Sequence, residues 1–291
     1  PLITASDCEG AGEMFKVTTI GYSNDYKSEE EYYADDFFGR RAALSVSGQL
    51  EGEVAAMALG KIYTFGPSFR AEKSNTPRHV AEFWHVEPEV AFAELPDIIE
   101  IAEALIKHII STVLDKHFEN GLVEKLTAVA SHDFAIMTYT EAIEKLKASG
   151  KEFKYPVEWG SDLMTEHERY ISEEVCKKPV FLTDYPKDIK SFYMKQNPDG
   201  KTVAATDLLV PGVGEIIGCS EREADLDKLL NAMKERNMSL DDYEHYIALR
   251  RFGSVPHSGF GLGLERIIMY VTGVQNIRDV ILYPRTVGSI S

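Results

Sequence analysis

Gly259-Phe260-Gly261-Leu262-Gly263-Leu264-Glu265-Arg266 decides how this chain is read. Three glycines alternate along it, an acid and an arginine follow, and Ile267, Ile268, Met269 and Tyr270 continue as an apolar run. Alternating glycines let a strand approach a neighbour closely, because no Cβ stands in the way. The arginine then falls in the first turns of a helix, where its guanidinium fork can grip a phosphate. Close backbone packing would account for the glycines equally well, so the stretch by itself leaves both readings open.

A second arginine segment lies far upstream. Lys61 to Phe69 (KIYTFGPSF) reads as a strand and leads into Arg70-Ala71-Glu72. A polar loop, Lys73 to Arg78, precedes another β-like run, Val80 to Phe92. There Trp84, Val86, Pro88 and Val90 alternate with Phe83, His85, Glu87 and Glu89. One face is therefore apolar, while carboxylates gather beside an aromatic on the other. A solvated hairpin with cross-strand ion pairs is the plain alternative, and Phe83 among the acids argues against it.

Together these segments resemble the catalytic domain of class II aminoacyl-tRNA synthetases. Arg70-Ala71-Glu72 with its hairpin is similar to the second signature motif of that family, and Gly259 to Arg266 to the third. Pro1 resembles the closing proline of the first, whose dimer-forming helix would lie upstream. Within the class, residues 1–15, Ser47-Gly48-Gln49-Leu50, Arg78 to Phe83 and Gly214 to Arg222 resemble the bacterial-type asparaginyl branch. The resemblance runs over nearly the whole chain.

It implies an ATP-dependent ligase that makes asparaginyl-adenylate from L-asparagine and charges tRNA(Asn), as a cytoplasmic homodimer using Mg2+. By the same resemblance Arg70 holds the α-phosphate and the substrate carboxylate, where charge builds up in the transition state. Arg266 grips the γ-phosphate and packs on adenine opposite a stacking Phe83. Glu72 meets the adenine or ribose, Arg78 and His79 reach the outer phosphates, and His257 assists from beside the third motif. Gly263 and Glu215 also belong to the implied ATP site. The implied amino-acid pocket comprises Glu9, Ser47, Gln49, Glu87 and Arg222, with Glu9 on the α-ammonium and Arg222 on the side-chain carbonyl.

Asp207 and Glu215 flank Leu208 to Gly214 on adjacent β-like runs. Spacing alone admits a pair of exposed strand-end acids or a Mg2+ site; the resemblance favours the metal. Aspartate and asparagine differ by O⁻ against NH₂ at equal size, so charge must separate them. Aspartyl enzymes resemble this chain but carry a lysine where Gly52 stands, followed here by Glu53. Without that cation the neutral substrate is favoured. Cys219 stands where close relatives tend to have glycine, and its thiol is expected to be tolerated. Three other functions share much of this pattern: an aspartyl-tRNA synthetase, a freestanding asparagine synthetase using aspartate and ammonia, and a non-catalytic regulator. Retention of Arg70, Glu72, Asp207, Glu215 and Arg266 favours catalysis.

Composition bounds the rest. With 291 residues, 44% hydrophobic, the chain can bury one large core, and residues 1–291 read as one catalytic domain with insertions. The net charge of −16 counts against a surface that wraps nucleic acid. The family reconciles this through an N-terminal barrel that reads the anticodon: the chain reads either as a trimmed catalytic core, which its start inside a motif favours, or as a freestanding relative. No apolar run suggests a membrane span, and three widely spaced cysteines suit a reducing compartment and argue against zinc.

Helices are expected at Gln49–Leu59, Asp97–Phe118 with a stripe of Ile98, Ala102, Leu105, Ile109 and Val113, Thr165–Val175, Glu223–Arg236 and Leu240–Phe252. Another begins at the Thr138/Glu141 capping box and stops at Gly150. Asp25–Asp36 reads as an exposed acidic loop. Short β-like runs at Pro179–Thr183, Ser191–Lys195, Val203–Val210 and Gly214–Ile217 are divided by turns. Closely spaced strands suggest an α+β fold, an antiparallel sheet flanked by helices. There is no Walker-type loop, so a nucleotide would be held by arginines and carboxylates.

Overall fold

The computed structural model describes residues 1–8, 14–21, 25–74, 76–116 and 121–290. A small antiparallel sheet joins β1 (Ile3–Thr4), β2 (Lys16–Val17) and β3 (Ala42–Leu44) in the order β1-β3-β2. The main sheet contains β4 (Lys61–Phe69), β5 (Glu82–Ala91), β6 (Ala135–Thr138), β7 (Val180–Pro186), β8 (Thr202–Val210), β9 (Gly214–Glu221) and β10 (His257–Gly263). Across it the order is β4-β5-β10-β9-β8-β7-β6. All neighbours are antiparallel except β6 and β7, which run parallel.

Helices α1 (Glu29–Ala34), α2 (Gln49–Leu59), α3 (Leu95–Asp115), α4 (Val123–Ser131), α5 (Tyr139–Ala148), α6 (Thr165–Arg169), α7 (Leu226–Glu235), α8 (Glu244–Arg251) and α9 (Leu264–Thr272) surround it. The largest core packs Ile98, Ala102, Ile106 and Ile110 of α3 and Ile267 of α9 against Val86 and Val90 of β5 and Phe260 and Leu262 of β10. Burying each isoleucine of this set contributes about 1.5–3 kcal/mol. The opposite face of β5 and β10, with His85, Glu87, Glu89, Gly261 and Gly263, is left to line a cavity.

Several expectations change. The buried stripe of α3 centres on Ile106 and Ile110, with Leu105 and Ile109 only flanking it. Pro96 lies inside the first turn of that helix, where its missing N–H costs nothing. The predicted end at Phe118 falls outside the described residues. Asp25–Asp36 contains a helix, α1, because Ser28 caps it and three glutamates fill its positively polarised first turn. Ser191–Lys195 is no strand; it holds one bridge, Met194 with Arg222. Past Arg169 the Thr165–Val175 helix widens into a π-helical turn. The Thr138/Glu141 capping box is present as expected.

Candidate active site

The β4–β5 hairpin supplies one wall of the cavity, its register setting Ser68 opposite Phe83 and Thr64 opposite Glu87. The polar side of β5 is sheltered as well: Glu87 and Glu89 are buried, while on the apolar side Trp84 is 42% exposed where that face runs past the core. The cavity measures about 370 Å³, and Arg70, Glu72, Arg78, His79, Phe83, Asp207, Glu215, Gly263 and Arg266 line it together with Ser47, Gln49, Glu87 and Arg222. Side chains that are distant in the sequence thus meet in one space. Glu9 lies outside the described residues.

At one end stand the arginines. Arg70 follows β4, its N–H donating to the Ala81 carbonyl at 2.9 Å, and its guanidinium lies 5.3 Å from the Phe83 ring centroid. A cation over an aromatic face is stabilising and fixes both groups. Arg266 enters from α9 and donates Nη1 to the Glu215 carbonyl oxygen at 3.0 Å and to Glu215 Oε2 at 3.3 Å. Arg78 is tied down at both terminal nitrogens: Nη1 donates to Glu168 Oε2 at 2.7 Å and to the Val213 carbonyl at 2.9 Å, and Nη2 to Thr165 Oγ1. His79 sits against this group; burial and then Arg266 and Arg78 push its imidazole down to about 4.

Asp207 of β8 and Glu215 of β9 converge over Gly218, where a Cβ would find Glu215 Oε1 at 3.4 Å and Asp207 Oδ1 at 3.7 Å. Lys190 Nζ holds Asp207 Oδ2 at 2.6 Å. Burial raises the Asp207 carboxyl, opposed by Lys190 and reinforced by Glu215. Glu215 is drawn below its ordinary range because Arg266, Lys190, Arg78 and Arg70 outweigh burial. Two carboxylates aimed at one point suit Mg2+, which takes few protein ligands alongside phosphate oxygens. Among the described residues no group of three or more metal-ligating side chains gathers.

The other end is carboxylate-rich. Glu87 accepts from Ser47 Oγ, from the Gly48 N–H at 2.9 Å and from Thr64 Oγ1 at 2.9 Å, with His85 Nδ1 at 3.2 Å. Burial opposes its ionisation, yet His85, Ser47 and Gly48 hold it down at about 2. Arg222 is gripped by Glu89, Nη2 to Oε1 at 2.6 Å and Nε to Oε2 at 3.3 Å, and donates Nη1 to Ser220 Oγ at 2.5 Å.

His257 is not in the cavity, contrary to expectation. It is fully buried, with Nε2 2.8 Å from Glu53 Oε2, because β10 turns its side chain toward α2 and α8. Sequence reasoning missed Lys190, Glu89 and Glu168 as partners of the site residues. Alternation along β5 places Glu89 on the face of Glu87 but does not name Arg222 as its partner; no local pattern marks Lys190 or Glu168.

Residues 1–287 match the model of the class II tRNA synthetases (D, K and N). The chain belongs to this family. Its sequence is 58% identical over 301 residues to an asparagine–tRNA ligase of Acetivibrio thermocellus and 57% identical over 300 residues to one of Clostridium novyi. Each match covers 99% of this chain and 65% of the relative. The structure of the asparaginyl-tRNA synthetase of Pyrococcus horikoshii complexed with asparaginyl-adenylate superposes with a TM-score of 0.85 at 41% identity, covering 98% of this chain and 62% of that one. The chain therefore spans just under two thirds of the length of these class II synthetases. Its α+β architecture, antiparallel but for one parallel pair, is that of the family.

Proposed function

We propose that the chain is the catalytic portion of an asparagine–tRNA ligase, activating L-asparagine with ATP and passing it to tRNA(Asn). In the first step a carboxylate oxygen of asparagine attacks the α-phosphorus, and pyrophosphate leaves with the bonding electrons. In the second a ribose hydroxyl of the tRNA attacks the acyl carbon and AMP departs. Neither step needs a protein nucleophile; alignment and charge neutralisation suffice.

One observation carries this reading: Arg70 and Arg266, from separate segments, wall the same cavity as the converging acids, while Glu87 and Arg222 wall its other end. Arg70 is assigned to the α-phosphate, Arg266 to the γ-phosphate and Phe83 to adenine, with Glu72 at the adenine or ribose. Arg78, committed to Glu168, orders the hairpin loop and adds positive potential near the outer phosphates. Asp207 and Glu215 would hold Mg2+. When bound, the ion would neutralise charge on the phosphate oxygens.

Ser47, Gln49, Glu87 and Arg222 are assigned to the amino acid. Two buried glutamates, Glu87 and Glu89, wall this end, which disfavours a further carboxylate and supports asparagine over aspartate. Names of the similar proteins point the same way: two are asparagine–tRNA ligases and one was solved with asparaginyl-adenylate. A cytoplasmic homodimer belongs to the same proposal; among the described residues no helix is long and apolar enough to cross a membrane.

The test is ATP–pyrophosphate exchange against every proteinogenic amino acid. Exchange with asparagine only is expected. Dependence on aspartate alone would overturn the substrate assignment, and ammonia-dependent asparagine formation without tRNA would replace the ligase with an asparagine synthetase.

A further inference from the structure

Glu53 lies one helical turn after Gln49 in α2 and is 0% exposed. Its carboxylate gathers donors from three elements. Gln49 Nε2 and Tyr246 Oη each reach Oε1 at 3.0 Å, and Arg250 Nη2 and His257 Nε2 each reach Oε2 at 2.8 Å. Arg222 Nε stands 3.8 Å from Oε1. Burial alone would raise this carboxyl, but Arg250, His257 and Arg222 more than offset it and keep it anionic. A buried ion this well paired is expensive to disturb, yet it touches no part of the cavity itself.

A carboxylate only accepts hydrogen bonds, so the amide nitrogen of Gln49 must face it. The Gln49 carbonyl oxygen is then the end turned to the cavity, which Gln49 lines. We infer that Glu53 is a positioning residue of the amino-acid pocket: it holds Gln49 carbonyl-outward, as an acceptor for the α-ammonium of the substrate. The inference rests on the ligase reading above and adds to it a residue outside the pocket wall. Through Arg250, Tyr246 and His257 the same carboxylate ties α2 to α8 and β10, so the orientation of Gln49 is fixed by the tertiary fold and not by its own helix.

Replacing Glu53 with glutamine makes the consequence measurable. In E53Q the new carbonyl oxygen faces the Arg250 guanidinium, so its NH₂ turns toward Gln49 and Tyr246. Gln49 must then present its own oxygen to that NH₂ and swing its NH₂ into the cavity, opposing the substrate ammonium. Asparagine-dependent exchange by E53Q should show a KM for asparagine raised about tenfold or more, with the KM for ATP within about twofold of wild type. A compensating change, Q49E in the E53Q background, offers an acceptor oxygen to both sides and should recover most of the loss, which a merely structural defect would not allow. Should E53Q melt far below wild type, E53D carries the same expectation, since it keeps an anion opposite Arg250 but draws back from Gln49. An unchanged KM for asparagine, an equal rise in both KM values, or no recovery in the double variant overturns the inference while the ligase reading stands. Wild-type protein that shows no asparagine-dependent exchange takes both down.

Discussion

Arg266, in the first turn of α9, donates to both the backbone carbonyl and the side chain of Glu215, joining segments separated by 51 positions. Under the proposed assignment, the pair sets the γ-phosphate cation beside one of the two Mg2+ acids. Each holds the other in place: the arginine lowers the Glu215 carboxyl, and the acid and carbonyl orient the guanidinium.

Arg266→Ala is therefore expected to cut pyrophosphate exchange by about 10²–10³-fold, the usual cost of losing a preorganised charge donor. Arg266→Lys should recover little of this, because an ammonium lacks the planar guanidinium that can meet a phosphate through two nitrogens at once. Steady-state exchange rates check both. A reduction under threefold in the alanine variant, with ATP affinity intact, would point to a non-catalytic role for the chain.

His79 is held at about 4 by burial and by Arg266 and Arg78, with Arg70 adding to them and Glu215 opposing. An arriving triphosphate would offset those arginines and raise the imidazole. ATP binding should then take up protons between about pH 4 and 6.5, and affinity should strengthen as pH falls through that window. Calorimetry at pH 6 in buffers of different ionisation enthalpy reads the uptake directly. Identical heats, or an uptake that survives His79→Asn, would refute the coupling.

Glu87 sits at about 2 instead of its ordinary 4.5. A carboxyl lowered on folding contributes stability that is complete above the ordinary value and is lost as pH falls toward the folded one. Thermal midpoints should accordingly drop between pH 4.5 and 2, and Glu87→Gln should show a shallower drop across the same range. Parallel curves for the two proteins would show that Glu87 is not the group responsible.

Gly259 has no room for a side chain: a Cβ there would fall within the Glu89 carboxylate. Displacing Glu89 would also loosen Arg222, which it grips. Gly259→Ala should destabilise the fold by about 1–3 kcal/mol, as overpacking does, seen as a lower urea midpoint at unchanged slope. Gly261→Ala should be milder in stability, because a Cβ there meets only Glu87 Cγ at 4.0 Å. Equal losses would remove the close-approach explanation for the first glycine.

Much of the fold was legible in the chain. The β4 strand follows from local periodicity and α5 from its Thr138/Glu141 capping box, both of which depend on neighbours within a few residues. So does the sharing of one face by Phe83, Glu87 and Glu89, since alternation along a strand is a local property. The buried face of α3 was misplaced by part of a turn, because which stripe is covered depends on what β9 and β10 offer it.

Sequence by itself determined the ligand-competent residue types, their places on strands and helix starts, and the family pattern they form. Only the tertiary structure decided how they are spent. It committed Arg78 to Glu168, turned His257 away to Glu53 and brought Lys190 against Asp207. The physical reason is that a buried charge must find a counter-charge in space, and partners such as Arg78 and Glu168, 90 positions apart, leave no mark on local pattern.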